Sequence, residues 1–297
     1  MSARIALVSA QGARDLDEDL PPLVAAFAAC GAQAQVTVWD DPEVDWAAFD
    51  AALLRSAWDY TERIGEFLGW VGRTAAVTRL LNPPPVVRWN SDKHYLRDLA
   101  HAGVPIVASC FVEPDMDPQT QLDGFLARYD SPELVVKPAV GAGSRDARRH
   151  ARDAHGQILG HMRPLLAAGR SLLVQPYLPS VDRSGETALV YIAGAFSHAF
   201  RKGPLLPLGA GATDALFAAE EITARVPGAD ELAVGAQILA GIPFKDLLYA
   251  RIDLIRGAQH EPRVLELELT EPSLYFQHGA GSAAKLAEAT LARLAAR

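Results

Sequence analysis

The chain has 297 residues, 49% of them hydrophobic and 22% charged, a composition ordinary for a soluble protein and a length that suits two or three packed units. Its formal charge of -8, with no basic run, argues against nucleic acid or an anionic membrane as a partner, so small ligands are expected. Cys30 and Cys110 show no metal spacing, no apolar stretch approaches the roughly 20 residues of a membrane span, and no signal-peptide pattern opens the sequence, so a cytoplasmic protein is expected.

The first third alternates between short apolar runs and amphipathic ones. Strands are predicted over Ile5 to Ser9, Gln35 to Trp39 and Ala51 to Arg55, with helices over Leu20 to Cys30 and Thr61 to about Val77. That order means a small, largely parallel sheet, whose ligands would meet the loops after the strand C-termini. One such loop carries Arg55, Trp58 and Tyr60: the arginine could hold a substrate carboxylate and the aromatics could wall a pocket, or all three could be scaffold.

Asn82-Pro83-Pro84-Pro85 marks a boundary, because three prolines cannot continue a helix or a central strand. Asn90-Ser91-Asp92 is then placed to cap a helix running from Lys93 to Gly103. Leu134 to Pro138 reads as a buried strand ending in Lys137, followed by Gly141-Ala142-Gly143-Ser144, whose glycines let backbone N–H groups approach an anion. This is a phosphate cradle with a point charge, although not a Walker A sequence. Leu172 to Leu178 is an apolar strand whose Pro176 leaves backbone groups free for a ligand edge such as adenine. From Glu186 onward the pattern is mostly antiparallel, with strands over Thr187 to Ile192 and Phe196 to Arg201; Glu186, Arg201 and Lys202 belong to either pocket or scaffold.

The runs Tyr249 to Leu254 and Val264 to Thr270 are predicted to form a hairpin that gathers Asp253, Glu266 and Glu268 on one patch. Two carboxylates about 4–5 Å apart repel by roughly 4 kcal/mol at an effective dielectric near 20, so the patch calls for a cation, with Mg2+ and phosphate oxygens the natural pairing. The eight histidines show no zinc spacing, and His278-Gly279-Ala280-Gly281-Ser282 lacks the second strand and the acidic residue of a dinucleotide-binding fingerprint.

Taken in order, Lys93, Lys137 with its glycine loop, Gln175 to Leu178, Gly185-Glu186, Arg251-x-Asp253 and Glu266-x-Glu268 resemble the ATP-grasp family over nearly the whole chain. The resemblance implies an α/β and α+β fold: an N-terminal α/β domain (1–87), a central subdomain with a small lid (88–178) and a C-terminal antiparallel-sheet domain (179–297). It implies ATP and Mg2+ as cofactors and a ligase that activates a carboxylate as an acyl phosphate. By the same resemblance, Lys93, Lys137, Gly141, Gly143 and Ser144 hold ATP phosphates, Gln175, Tyr177 and Leu178 meet adenine, and Asp182 meets the ribose. Asp253, Glu266 and Glu268 match metal ligands, with Glu268 standing where most relatives carry Asn, and Arg251 resembles the arginine that acts with Lys137 on the transferred phosphate. Trp89 to Lys93, Lys137 to Asp146 and Glu266 to Leu274 are similar to a bacterial branch that includes the D-cycloserine synthetase, which cyclises O-ureido-D-serine. An intermolecular amino-acid ligase and an ATP-binding regulatory protein are the alternatives. A small amino-acid substrate and a homo-oligomeric state are expected.

Overall fold

The computed structural model describes residues 2–209 and 221–296, and three β-sheets organise them. β1 (Arg4–Ser9) is buried from its second residue onward, as a central parallel strand covered on both faces must be. It is followed by α1 (Leu20–Ala29), opened by prolines in its first turn, β2 (Gln33–Val38), β3 (Ala51–Ser56), α2 (Ile64–Ala75) and β4 (Arg79–Leu81). The strands pair in parallel in the order β2-β1-β3-β4, which is the sheet predicted from the alternation.

The proline run does not simply break the chain. It opens the short helix α3 (Pro84–Asn90), because the missing N–H groups of Pro84 and Pro85 fall in the first turn, where no intrahelical partner exists. Asn90 is consequently the last residue of α3 rather than a cap for the next helix, and Asp92 takes the capping part by accepting from the His94 backbone N–H at 3.0 Å. The helix predicted from Lys93 is α4 (Tyr95–His101).

β5 (Cys110–Val112), α5 (Pro118–Arg128), β6 (Glu133–Pro138), β7 (Arg148–Ala151), α6 (His155–Ala167) and β8 (Leu172–Pro176) build an antiparallel sheet in the order β5-β8-β6-β7. Leu122, Phe125, Ile158 and Met162 of its helices pack against Leu134, Val136, Leu172 and Val174. The opposite face is left to the site.

After the short helix α7 (Ser180–Ser184), β9 (Glu186–Ile192), β10 (Ala195–Lys202), β11 (Ile222–Ala224), α8 (Ala229–Gly241), β12 (Tyr249–Arg256), β13 (Pro262–Glu268) and α9 (Ser282–Ala295) complete the fold. Their sheet is antiparallel, ordered β11-β10-β9-β12-β13. Its core is shared with the first sheet: Ala188, Val190, Phe200 and Leu286 pack with Ile5, Leu7 and Leu53. Among the described residues no helix is long and apolar enough to cross a membrane.

Candidate active site

A cavity of about 580 Å3 is lined by β6, β8, β10, β12 and β13 together with the loops that follow β1 and β3. One part is largely apolar, with Val107, Val135, Pro176, Leu178, Val181 and Ile255 around Gln175 and Tyr177. Gln175 reaches the Ser109 hydroxyl with its amide at 2.9 Å, and the guanidinium of Arg149 lies over the Tyr177 ring at 3.5 Å. Asp182, expected at a ribose, does not line the cavity; its carboxylate accepts from the Tyr177 hydroxyl at 2.5 Å and from Arg149 at 3.3 Å, so it holds the tyrosine.

The middle of the cavity is charged. Lys93, from the turn between α3 and α4, donates to the Gly141 carbonyl at 2.7 Å and pairs with Glu266 at 2.8 Å. Lys137 sits at the end of β6; burial and neighbouring Lys93 lower its pKa, while Glu266 and Glu186 oppose the shift. The loop from Gly141 lines the cavity as predicted for a phosphate cradle, with Gly143 at φ +61° and Ser144 at +59°. Arg145 of this loop is ion-paired with Glu62, which follows Tyr60 on the far wall.

The β12–β13 hairpin forms as expected, with Arg251 opposite Glu268 and Asp253 opposite Glu266, while Thr270 lies beyond the strand end. The three acids come near one another, Arg251 bonding both Asp253 and Glu268, but no group of three potential metal-ligating side chains is found among the described residues, which corrects the expectation of a three-carboxylate metal patch. Cations divide them instead. Asp253 is fully buried and spends its oxygens on Arg251 at 2.9 Å and Lys202 at 3.0 Å. Burial would raise its pKa, but Arg251 and Lys202 hold it well below the usual carboxylate range. Glu266 is depressed in the same way, its burial outweighed by Lys93 and Lys137. Glu268 is raised, because burial and the charges of Asp253 and Glu266 together exceed the pull of Arg251 with which it pairs.

Alternation along β10 decides which of its two basic residues serves the site. Lys202 lines the cavity, between Asp253 and Glu186, the latter 3.5 Å away. Arg201 points the other way, donating to the Ser184 carbonyl at 3.1 Å and pairing with Glu221, so the expectation of a substrate contact there is corrected. Gly185 stands at φ +65°, and a Cβ there would lie 2.3 Å from the Lys202 carbonyl, so only glycine admits this approach.

The remaining part of the cavity is lined by Asp17, Glu18, Asp19, Trp58, Tyr60, Glu271 and Tyr275, among others. Trp58 and Tyr60 are present as predicted: the indole donates to the Glu271 carbonyl at 3.3 Å and the Tyr60 hydroxyl bonds the Glu271 carboxyl. Arg55 is a correction. It has no exposed surface, does not line the cavity, and donates to the Pro272 carbonyl at 2.8 Å beside Asp19 at 3.5 Å, so it braces a loop rather than a substrate.

Sequence reasoning gave Asp17 and Glu271 no site role and read Asn90 only as a helix cap. Asn90 accepts from the Leu269 N–H and donates to the Leu267 carbonyl, fixing the end of β13 beside Lys93. Asp19 accepts backbone N–H groups of Leu274, Tyr275 and Phe276. The acid run Asp15 to Asp19 was a signal available in the sequence, but its partners lie more than 250 positions away.

A family profile described as D-cycloserine synthetase DcsG, N-terminal domain, matches residues 5–82. The chain is 41% identical over 298 residues to the cycloserine biosynthesis protein DcsG of Streptomyces lavendulae, covering 98% of each. It is similar to the crystal structure of D-cycloserine synthetase DcsG with a TM-score of 0.91 and 39% identity, over 98% of this chain and 100% of that one. The ATP-grasp ligase PsnB, solved with a phosphomimetic variant of its minimal precursor, Mg and ADP, matches at a TM-score of 0.64 and 18% identity over 99% of both chains, which shows a shared fold. The chain therefore belongs to the D-cycloserine synthetase family of ATP-grasp ligases, enzymes that form C–N bonds.

Proposed function

We propose that this ligase closes O-ureido-D-serine to D-cycloserine, using ATP to activate the substrate carboxylate as an acyl phosphate. The observation that carries this reading is one cavity of about 580 Å3 whose lining combines an apolar part around Gln175 and Tyr177, the cations Lys93, Lys137, Lys202 and Arg251, and a wall of Trp58, Tyr60 and Glu271. The identity with a cycloserine biosynthesis protein over 98% of the chain supports the substrate.

Lys93 and Lys137 hold the phosphates, while the Gly141 to Ser144 backbone covers them. The donor set suits magnesium: Glu266 and Glu268 offer hard oxygens to the cavity, and this ion needs only one or two carboxylates when phosphate and water complete its shell. When bound, it neutralises charge on the transferring phosphoryl group. A substrate carboxylate oxygen attacks the terminal phosphorus and ADP leaves, with Arg251 steadying the developing charge. The ureido nitrogen bonded to the serine side-chain oxygen then attacks the acyl carbon and loses its proton, and phosphate departs with the former carboxylate oxygen. Hydrolysis of the carbamoyl group releases carbon dioxide and ammonia. The pairing of Arg145 with Glu62 spans from the phosphate loop to the substrate wall, closing the site against water that would destroy the acyl phosphate. A cytoplasmic location, where ATP and magnesium are supplied, belongs to the same proposal.

The test is ADP and phosphate release with Mg-ATP across O-ureido-D-serine, amino acids and dipeptides, with product masses read in parallel. Turnover on O-ureido-D-serine alone with formation of D-cycloserine is expected. Turnover only with two substrates present would make the protein an intermolecular ligase, and ATP binding without turnover on any of them would make it a regulatory one.

A further inference from the structure

The substrate wall carries more carboxylates than its visible contacts use. Asp19 is committed to three backbone N–H groups, and Glu18 accepts the Gln277 amide at 3.2 Å. Asp17 and Glu271 differ. They are 6% and 7% exposed, both line the cavity, and Asp17 Oδ2 and Glu271 Oε2 have no hydrogen-bond partner. Among the described residues, they are the cavity-lining residues with such an orphaned buried side-chain atom. The other oxygens are engaged: Asp17 Oδ1 accepts from the Asp19 N–H at 3.0 Å, and the Glu271 carboxyl is bonded by Tyr60. Both side chains are thus fixed, each with one acceptor left over.

Buried acceptors are almost always satisfied, and an orphan costs free energy that a ligand N–H recovers. Two leftover carboxylate oxygens ask for a cationic donor rather than a hydroxyl. The cations of the cavity, Lys93, Lys202 and Arg251, are paired with Glu266, Glu186, Asp253 and Glu268 in its middle, and no lysine lines the cavity beside Asp17 and Glu271, so a cation for these two acids must come from the ligand.

We infer that Asp17 and Glu271 form the subsite for the α-ammonium group of an amino-acid substrate, each giving its unpartnered oxygen to one ammonium N–H. The inference rests on the ligase reading above, and adds which feature of the substrate the wall selects. An amine-free analogue would leave both acceptors buried and unpaired, the situation in which binding sites discriminate most strongly.

The experiment compares wild type, Asp17→Asn and Glu271→Gln, all near-isosteric, on O-ureido-D-serine and on its amine-free analogue 3-(carbamoylaminooxy)propanoate. Wild type is expected to prefer the amine-bearing compound by about 100-fold or more in kcat/KM. Each substitution lowers kcat/KM for that compound by roughly 30-fold, mainly through KM. On the analogue, which has no ammonium to lose, the same substitutions lower kcat/KM far less, and KM for ATP reports any general damage to the cavity. Equal losses on both compounds, or no loss on either, would overturn the subsite. Should wild type turn over neither compound, the cyclo-ligase reading is what fails, and melting temperature decides the subsite. A rise with D-serine in wild type alone, absent with 3-hydroxypropanoate, supports it; no D-serine-specific rise overturns it.

Discussion

Two charged regions of this molecule solve the problem of buried ions differently. On the β12–β13 hairpin, Asp253, Glu266 and Glu268 are each answered by a lysine or arginine within the same cavity wall. At the carboxyl ends of β1 and β3, Arg55 is buried with its Nε and Nη1 lacking hydrogen-bond partners, and Asp17 keeps one oxygen unused. The cavity wall keeps its acids neutralised by its own cations, as the proposed exchange with phosphate and metal would require. The loop-bracing region tolerates these two incompletely satisfied ions beside Asp19, which holds three backbone N–H groups.

Breaking the second region should have the larger effect on stability. Arg55→Leu leaves Asp19 buried without its cation and removes the bond to Pro272, and a loss of about 3–5 kcal/mol in urea unfolding is expected. Breaking the first region should show in catalysis instead. Arg251→Met is expected to lower kcat by about 100- to 1000-fold, roughly 3–4 kcal/mol of barrier, while the protein still folds and binds ATP.

The His150–His161 pair extends the contrast to the back of the phosphate loop. The two imidazoles hydrogen-bond at 3.1 Å beside Arg148, and His161 also bonds the Asp146 carbonyl. Burial, then Arg148 and His150, push His161 down to about 4. Because the unfolded chain binds the proton first, the stability from neutral His161 is complete above about pH 6.5 and is lost as pH falls toward 4. A decline of the order of 2–3 kcal/mol across that window is expected in denaturant unfolding, flattened by His161→Phe. Any unfolding curve that is level over this range would contradict it. The smallest effect belongs to Glu62→Gln: the Arg145 pair is partly exposed, so stability should move by less than about 1 kcal/mol, with the change appearing in KM for ATP.

Legibility in the sequence followed the range of the interactions. The strands, the Lys137 and glycine-loop pairing, and the opposition of Arg251-x-Asp253 to Glu266-x-Glu268 are set by alternation and short turns, so spacing alone reveals them. Lys202 could be placed only as pocket or scaffold, since its partner Asp253 lies on another strand. For the same reason spacing showed three acids on the hairpin but not the four cations that divide them. Arg55 was legible as a strand-end residue of a ligand-facing loop, but nothing local shows that Pro272 and Asp19 occupy it. Asp17 lies in no motif and Glu271 only at the edge of the Glu266 to Leu274 run, without a role; their part emerges from unmet hydrogen-bonding capacity.

Asp19 bonds the backbone of Leu274, 255 positions further along, and Asn82 reaches the Leu248 N–H and the carbonyls of Tyr249 and Leu269. These side chains do across the sequence what a strand neighbour does within a sheet. The first eighty-odd residues therefore complete their hydrogen bonding only once the last strands are in place. A fragment ending before Pro272 would expose the ends of β1 and β3 with their ions stripped of partners, so head and tail of this chain should melt in a single cooperative step rather than as separable lobes.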